Sequence, residues 1–112
     1  MDLINRPRRL RSSKSLRDLV SETQLTVNDF IMPVFLKEEL SGTEDISSLP
    51  GIFRYDIENA IKYCKLLKER GIQGCLLFAA IADAKKNSQA TEALNPNGFY
   101  CDAIKAIKDE LD

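Results

Sequence analysis

The sequence predicts an α/β fold built on parallel strands, and three observations carry that prediction. Apolar residues at Ile57, Ala60, Ile61, Cys64 and Leu67 follow helical spacing, so they line one face of a helix. Soon after, Cys75, Leu76, Leu77, Phe78, Ala79 and Ala80 form a short run without polar alternation, as expected of a strand covered on both faces of a parallel sheet. A β-rich run at 30–36 precedes this pair, and a second helical stripe at Tyr100, Ala103, Ile104, Ile107 and Leu111 follows it. The order strand, helix, strand, helix implies a parallel crossover.

The chain divides into an arm at 1–28 and an α/β domain at 29–112. In the arm, Arg6, Arg8, Arg9 and Arg11 surround Pro7 and Leu10, a composition that buries too little apolar surface to fold by itself. Ser15 to Asp18 offers a capping-box-like start for a short helical turn through Leu16, Leu19 and Val20, and Thr26 with Asp29 repeats the pattern. The first strand, at about 30–36, contains Pro33, which lacks the amide that the middle of a ladder needs. Pro33 therefore belongs at an edge, or where its nitrogen faces no carbonyl. Residues 37–48 are charged or small and read as a surface loop, closed by the turn residues Leu49, Pro50 and Gly51.

The first long helix, at about 57–70, starts at Asp56, whose carboxylate can accept from first-turn amides, and stops at Gly71. Lys68 and Arg70 suit its negative end. After the second strand, at about 74–80, a polar connection runs from 81 to 94. It leaves the C-terminal end of a strand, where parallel α/β folds bind ligands. Lys85 and Lys86 are candidates there to meet an anion, against the plainer reading of a solvated pair. The last helix, at about 97–111, has Asn95 before Pro96 as its cap, with Asn97 as the alternative.

Composition narrows the function classes. The 112 residues carry a net charge of -1, and the only basic cluster is the arginine run, which is short and holds no interleaved aromatic, a poor nucleic-acid footprint. There is no histidine, which excludes histidine-based triads and histidine-containing zinc fingers. Three cysteines, with no pair close in sequence, argue against a disulfide framework and match no zinc spacing, so Cys64, Cys75 and Cys101 read as small buried hydrophobes. No apolar leader opens the chain and no run approaches the roughly 20 residues that cross a bilayer. A soluble, cytoplasmic protein is the expectation.

Two strands are too little sheet to cover two helices and hide their own edges. A closed eight-stranded barrel needs about 250 residues. The expected architecture is thus the first two strand-helix units of a (β/α)8 TIM barrel behind an arm, an incomplete barrel of marginal stability.

Five blocks of sequence resemble the N-terminal part of the porphobilinogen synthase family, also called delta-aminolevulinic acid dehydratase. They are RPRRLR from Arg6, LRDLVSET from Leu16, DFIMPVF from Asp29, LPGIFR from Leu49 and TEALNPNG from Thr91. The resemblance implies an αβ barrel whose N-terminal arm embraces a neighbouring subunit, in an assembly that is usually a homo-octamer. It implies condensation of two 5-aminolevulinate molecules to porphobilinogen in haem biosynthesis, by a lyase that uses two lysines, at least one as a Schiff base. An aspartate and a metal segment binding zinc or magnesium complete the family's site.

All of those groups lie beyond the region this chain covers, so no catalytic, cofactor-binding or metal-binding residue is assigned here and the isolated chain is expected to be inactive. The alternative is a non-catalytic interaction module that associates through the arm and the open barrel edge. Two departures fall at the loop after the second strand. The family's FGVP is replaced by Phe78, Ala79, Ala80 and Ile81, and its Lys-Asp followed by glycine by Lys85, Lys86, Asn87, Ser88, Gln89 and Ala90. Phe78 is placed either at the barrel mouth or in the core.

Overall fold

A computed structural model describes residues 8–111. Arg6 and Pro7 of the basic run, with the rest of 1–7, and Asp112 lie outside the described residues. The described part of the arm contains α1 (Lys14–Leu19), started by the Ser13 hydroxyl, which accepts from the Leu16 amide at 3.2 Å. The cap is Ser13 rather than Ser15, because Ser13 has the extended backbone a cap needs while Ser15 lies inside the helix. Further on, the Asp29 carboxylate accepts from the Thr26 amide at 2.6 Å and from its hydroxyl at 3.1 Å, closing a 3-10 turn at Val27–Asp29. Every residue from 8 to 31 is exposed.

Four strands, β1 (Ile31–Lys37), β2 (Thr43–Asp45), β3 (Phe53–Tyr55) and β4 (Gly74–Ala80), form one mixed sheet in the order β2-β3-β1-β4. β1 and β4 are parallel along their whole length, from Ile31 opposite Gly74 to Lys37 opposite Ala80. β3 is parallel to β1 at Phe35 and Leu36 only, and β2 is antiparallel to β3. Because β3 joins only from Phe35, one side of β1 has no neighbour at Pro33, and an interior strand accommodates the missing amide.

Two short strands are not among those expected: β2 lies within the stretch read as a surface loop, and β3 follows directly on the turn at 49–51. Thr43–Asp45 is compositionally weak for a strand and Phe53–Tyr55 is only three residues long, so a tertiary clamp supplies what the local pattern does not. The Asp56 carboxylate accepts from the Gly42 amide at 2.6 Å, and the Asp56 amide donates to the Gly42 carbonyl at 3.1 Å, which ties the start of β2 to the end of β3. Between them, Gly51 at φ +82 takes the third position of the turn after Pro50, with the Ile52 amide donating to the Leu49 carbonyl.

α2 (Ile57–Glu69) begins at Asp56, whose other carboxylate oxygen accepts from the Asn59 amide at 2.8 Å. It ends where Gly71 turns to φ +88 and the Ile72 amide reaches back to the Leu67 carbonyl at 3.0 Å. α3 (Phe99–Leu111) starts two residues later than expected. The Asn95 side chain accepts from the Asn97 amide at 3.1 Å in a local turn, and the Gly98 carbonyl accepts the first helical bond, from Asp102. Neither asparagine is the cap.

The core lies on one side of the sheet. Val34 and Leu36 from β1 pack with Ala60, Cys64 and Leu67 of α2 and with Ala103 and Ile107 of α3. Lys65 and Glu110, 2.6 Å apart, and Lys68, which donates to the Leu111 carbonyl, fasten the two helices together. β4 departs from the strand covered on both faces. It is an edge strand whose Leu76 and Phe78 are exposed, because no element covers that face of the sheet among the described residues.

Candidate functional site

Side chains alternate along a strand, so the residues opposite in phase to Leu36 and Tyr55 share the uncovered face. Phe35 stacks on Phe78 there at a ring separation of 5.5 Å. Phe78 is therefore half-exposed on the bare face and not in the core. Toward the C-terminal ends of β1 and β3 the face becomes charged. Glu44 bridges Lys37 at 2.5 Å and Arg54 at 2.7 Å, and these hydrogen bonds, that to Lys37 first, hold its carboxyl below the usual range.

The loop leaving β4 is held by a second carboxylate. Glu38 accepts from Lys85 and from the Ala82 amide at 3.0 Å, and the Lys85 bond is the main reason its pKa is lowered. Lys85 is raised in turn, chiefly by Glu38, and Lys86 pairs with Asp83 at 2.6 Å. Both lysines pair with carboxylates while their side chains stay exposed. With Lys37, Arg54 and Ile81, the Glu38, Asp83 and Lys86 side chains line a shallow pocket of about 390 Å³. A neighbouring cavity of about 450 Å³ runs from Phe78 and Ile81 past Lys85 to Tyr100.

Chemically these strand ends carry charges that are paired, with one carboxylate, Glu44, shared between two cations. A lysine that attacks a carbonyl needs a depressed pKa, whereas Lys85 and Lys62 are shifted upward by Glu38 and Glu58 respectively. Among the described residues no group of three or more His, Cys, Asp or Glu is arranged to hold a metal ion. The zinc or magnesium implied by the resemblance finds no matching donor set among these residues.

The Lys37, Glu44 and Arg54 cluster had a signal in the sequence that composition hid. Arg54 sits between Phe53 and Tyr55, an alternation proper to a strand, and Lys37 follows Phe35 by two, on the same face. The cysteines differ from three buried hydrophobes. Cys64 is buried, Cys101 half-buried and Cys75 exposed. The Cys64 and Cys75 sulfurs lie 3.9 Å apart, a proximity that eleven residues of separation conceal. Burial, and then the neighbouring Cys75, pushes the Cys64 thiol up to about 12. Arg8, Arg9 and Arg11 of the basic run are exposed. No helix among the described residues is long and apolar enough to cross a membrane.

Comparison with known proteins gives a consistent result. The family profile described as delta-aminolevulinic acid dehydratase matches residues 4–112. The chain is 38% identical over 107 residues to the delta-aminolevulinic acid dehydratase of Methanothermus sociabilis, covering 96% of this chain and 33% of that protein. It is 41% identical to that of Helicobacter pylori, covering 95% of this chain and 32% of the relative. A crystal structure of the Toxoplasma gondii enzyme, in complex with its reaction product porphobilinogen, matches with a TM-score of 0.86 at 32% identity. That match covers 97% of this chain and 31% of the solved one. The chain thus spans about a third of the length of the proteins it resembles.

Proposed function

This chain belongs to the delta-aminolevulinic acid dehydratase family, and on that premise we propose that it forms the first two strand-helix units of a (β/α)8 barrel in a porphobilinogen synthase. The observation that carries the reading is that nearly all of the chain overlays one third of a porphobilinogen-bound relative. In this reading the bare face carrying Phe35, Leu76 and Phe78 is the barrel interior, and the charged ends of β1 and β3 belong to its mouth. The exposed arm, with Leu10, Leu16, Leu19 and Leu25 uncovered, is the segment that reaches a neighbouring subunit in a homo-oligomer. The complete enzyme joins two 5-aminolevulinate molecules into porphobilinogen in the cytoplasm.

The chain's own contribution is structural. Lys62 and Lys85 are shifted upward by Glu58 and Glu38, which favours the protonated amine over a nucleophile, and Lys37, Lys65 and Lys86 each hold a carboxylate within salt-bridge distance. The catalytic lysines and the metal segment belong to the two thirds of the relatives that this chain does not cover. Incubating the purified 112-residue chain with 5-aminolevulinate and either zinc or magnesium tests this. No porphobilinogen is expected, and enzyme-dependent turnover that scales with chain concentration would refute the assignment of catalysis to other residues.

A further inference from the structure

We propose that Cys64 and Cys75 form an oxidisable pair, a site of reversible disulfide formation whose co-substrate is a low-molecular-weight disulfide of the glutathione type. The two residues sit on different elements, α2 and β4, and the fold brings their sulfurs to 3.9 Å. A disulfide needs about 2.05 Å, so the sulfurs must close by roughly 2 Å. Cys75 is also reachable from solvent. Both cysteines line an open groove of about 510 Å³ between α2, α3 and β4, together with Ile72, Tyr100, Ile104 and Leu111. Cys101 does not line it.

The chemistry divides between the two thiols by burial. Cys75 is exposed and attacks the small disulfide as a thiolate, forming a mixed disulfide and releasing one small thiol. Cys64, buried behind it and held protonated by that burial, reacts in the slower second step: its proton passes to solvent base through the groove it lines as its sulfur attacks Cys75, releasing the second small thiol. One small disulfide is reduced to two thiols while two protein thiols become one disulfide, so atoms and electrons balance. The product staples the first long helix to the edge strand and closes a short loop. This inference does not depend on where catalysis resides in the family.

The test is incubation of the chain with oxidised glutathione at about pH 8, followed by alkylation and peptide mapping. The expected result is loss of two alkylatable thiols, a peptide containing Cys64 joined to one containing Cys75, full reversal by dithiothreitol, and a melting temperature raised by roughly 5–10 °C. Cys101→Ser should behave as the parent chain and Cys75→Ser should lose the cross-link. Cys64→Ser should stop at a persistent glutathione adduct on Cys75. The proposal is overturned if the parent chain also stops at that adduct, if all three thiols stay alkylatable in the folded chain, or if cross-links form only between molecules.

Discussion

The two faces of the β1 and β4 pair are built from similar residues and meet opposite surroundings. On one face Val34 and Leu36 are 0% exposed beneath the helices, while on the other Ile31, Leu76 and Phe78 are 68%, 52% and 48% exposed. Apolar composition therefore says that a strand expects cover, not that it has it. Cover comes from a specific element, and in the described chain α2 and α3 both lie on the same side. The folded state rests on a one-sided core, and the other face of the sheet is bare among the described residues.

Four substitutions sharpen this contrast. The largest effect is expected for Leu36→Ala, which opens a cavity among fully buried neighbours and should cost about 2–5 kcal/mol in urea unfolding. A cost below about 1 kcal/mol there would erase the distinction between the faces. Gly71→Ala comes next. At φ +88 a side chain is strained, and its Cβ would stand 3.3 Å from Val27 Cγ1, so a loss of about 1–2 kcal/mol is expected, read as a lower melting temperature.

Asp56→Ala removes the α2 cap and the clamp on Gly42, with an expected loss of about 1 kcal/mol. Its pH signature follows from its surroundings. Desolvation raises the Asp56 pKa, but hydrogen bonds from the Asn59 and Gly42 amides and the Asn59 side chain outweigh it, leaving the folded pKa below the ordinary value. The carboxylate's stabilisation is present above its unfolded pKa of about 4 and is lost as pH falls through the lower folded value. An acid titration of stability should show this loss in the parent chain and not in the variant. The smallest effect belongs to Leu76→Ala on the bare face, expected within about 1 kcal/mol of zero. A loss equal to that of Leu36→Ala would mean the face is covered after all.

The long helices were legible because their stripes repeat over several turns, and Asp56 and Gly71 bracket α2 with side-chain and backbone chemistry that sequence displays directly. The short strands were not. Thr43–Asp45 pairs because Asp56, far along the chain, fixes its start, and no local pattern encodes that contact. The bareness of β4 was hidden because an apolar strand looks the same whether one face or both are packed. In the loop leaving β4, the pairing of Lys85 with Glu38 joins residues 47 apart and depends on how the loop folds back over the sheet. The approach of Cys64 to Cys75 has the same origin, a helix laid on a neighbouring strand.

Amide hydrogen exchange along the sheet of the monomeric chain tests the one-sided, open-edged architecture most directly. β1 is flanked by β3 and β4, whereas β4 has a neighbour on one side only. The account predicts that amides of β1 near Phe35 and Leu36 exchange slowly, while alternate amides of β4, those pointing away from β1, exchange close to the rate of an unstructured chain. Uniform slow exchange across Gly74–Ala80 in a verified monomer would contradict it, because the edge would then already be closed.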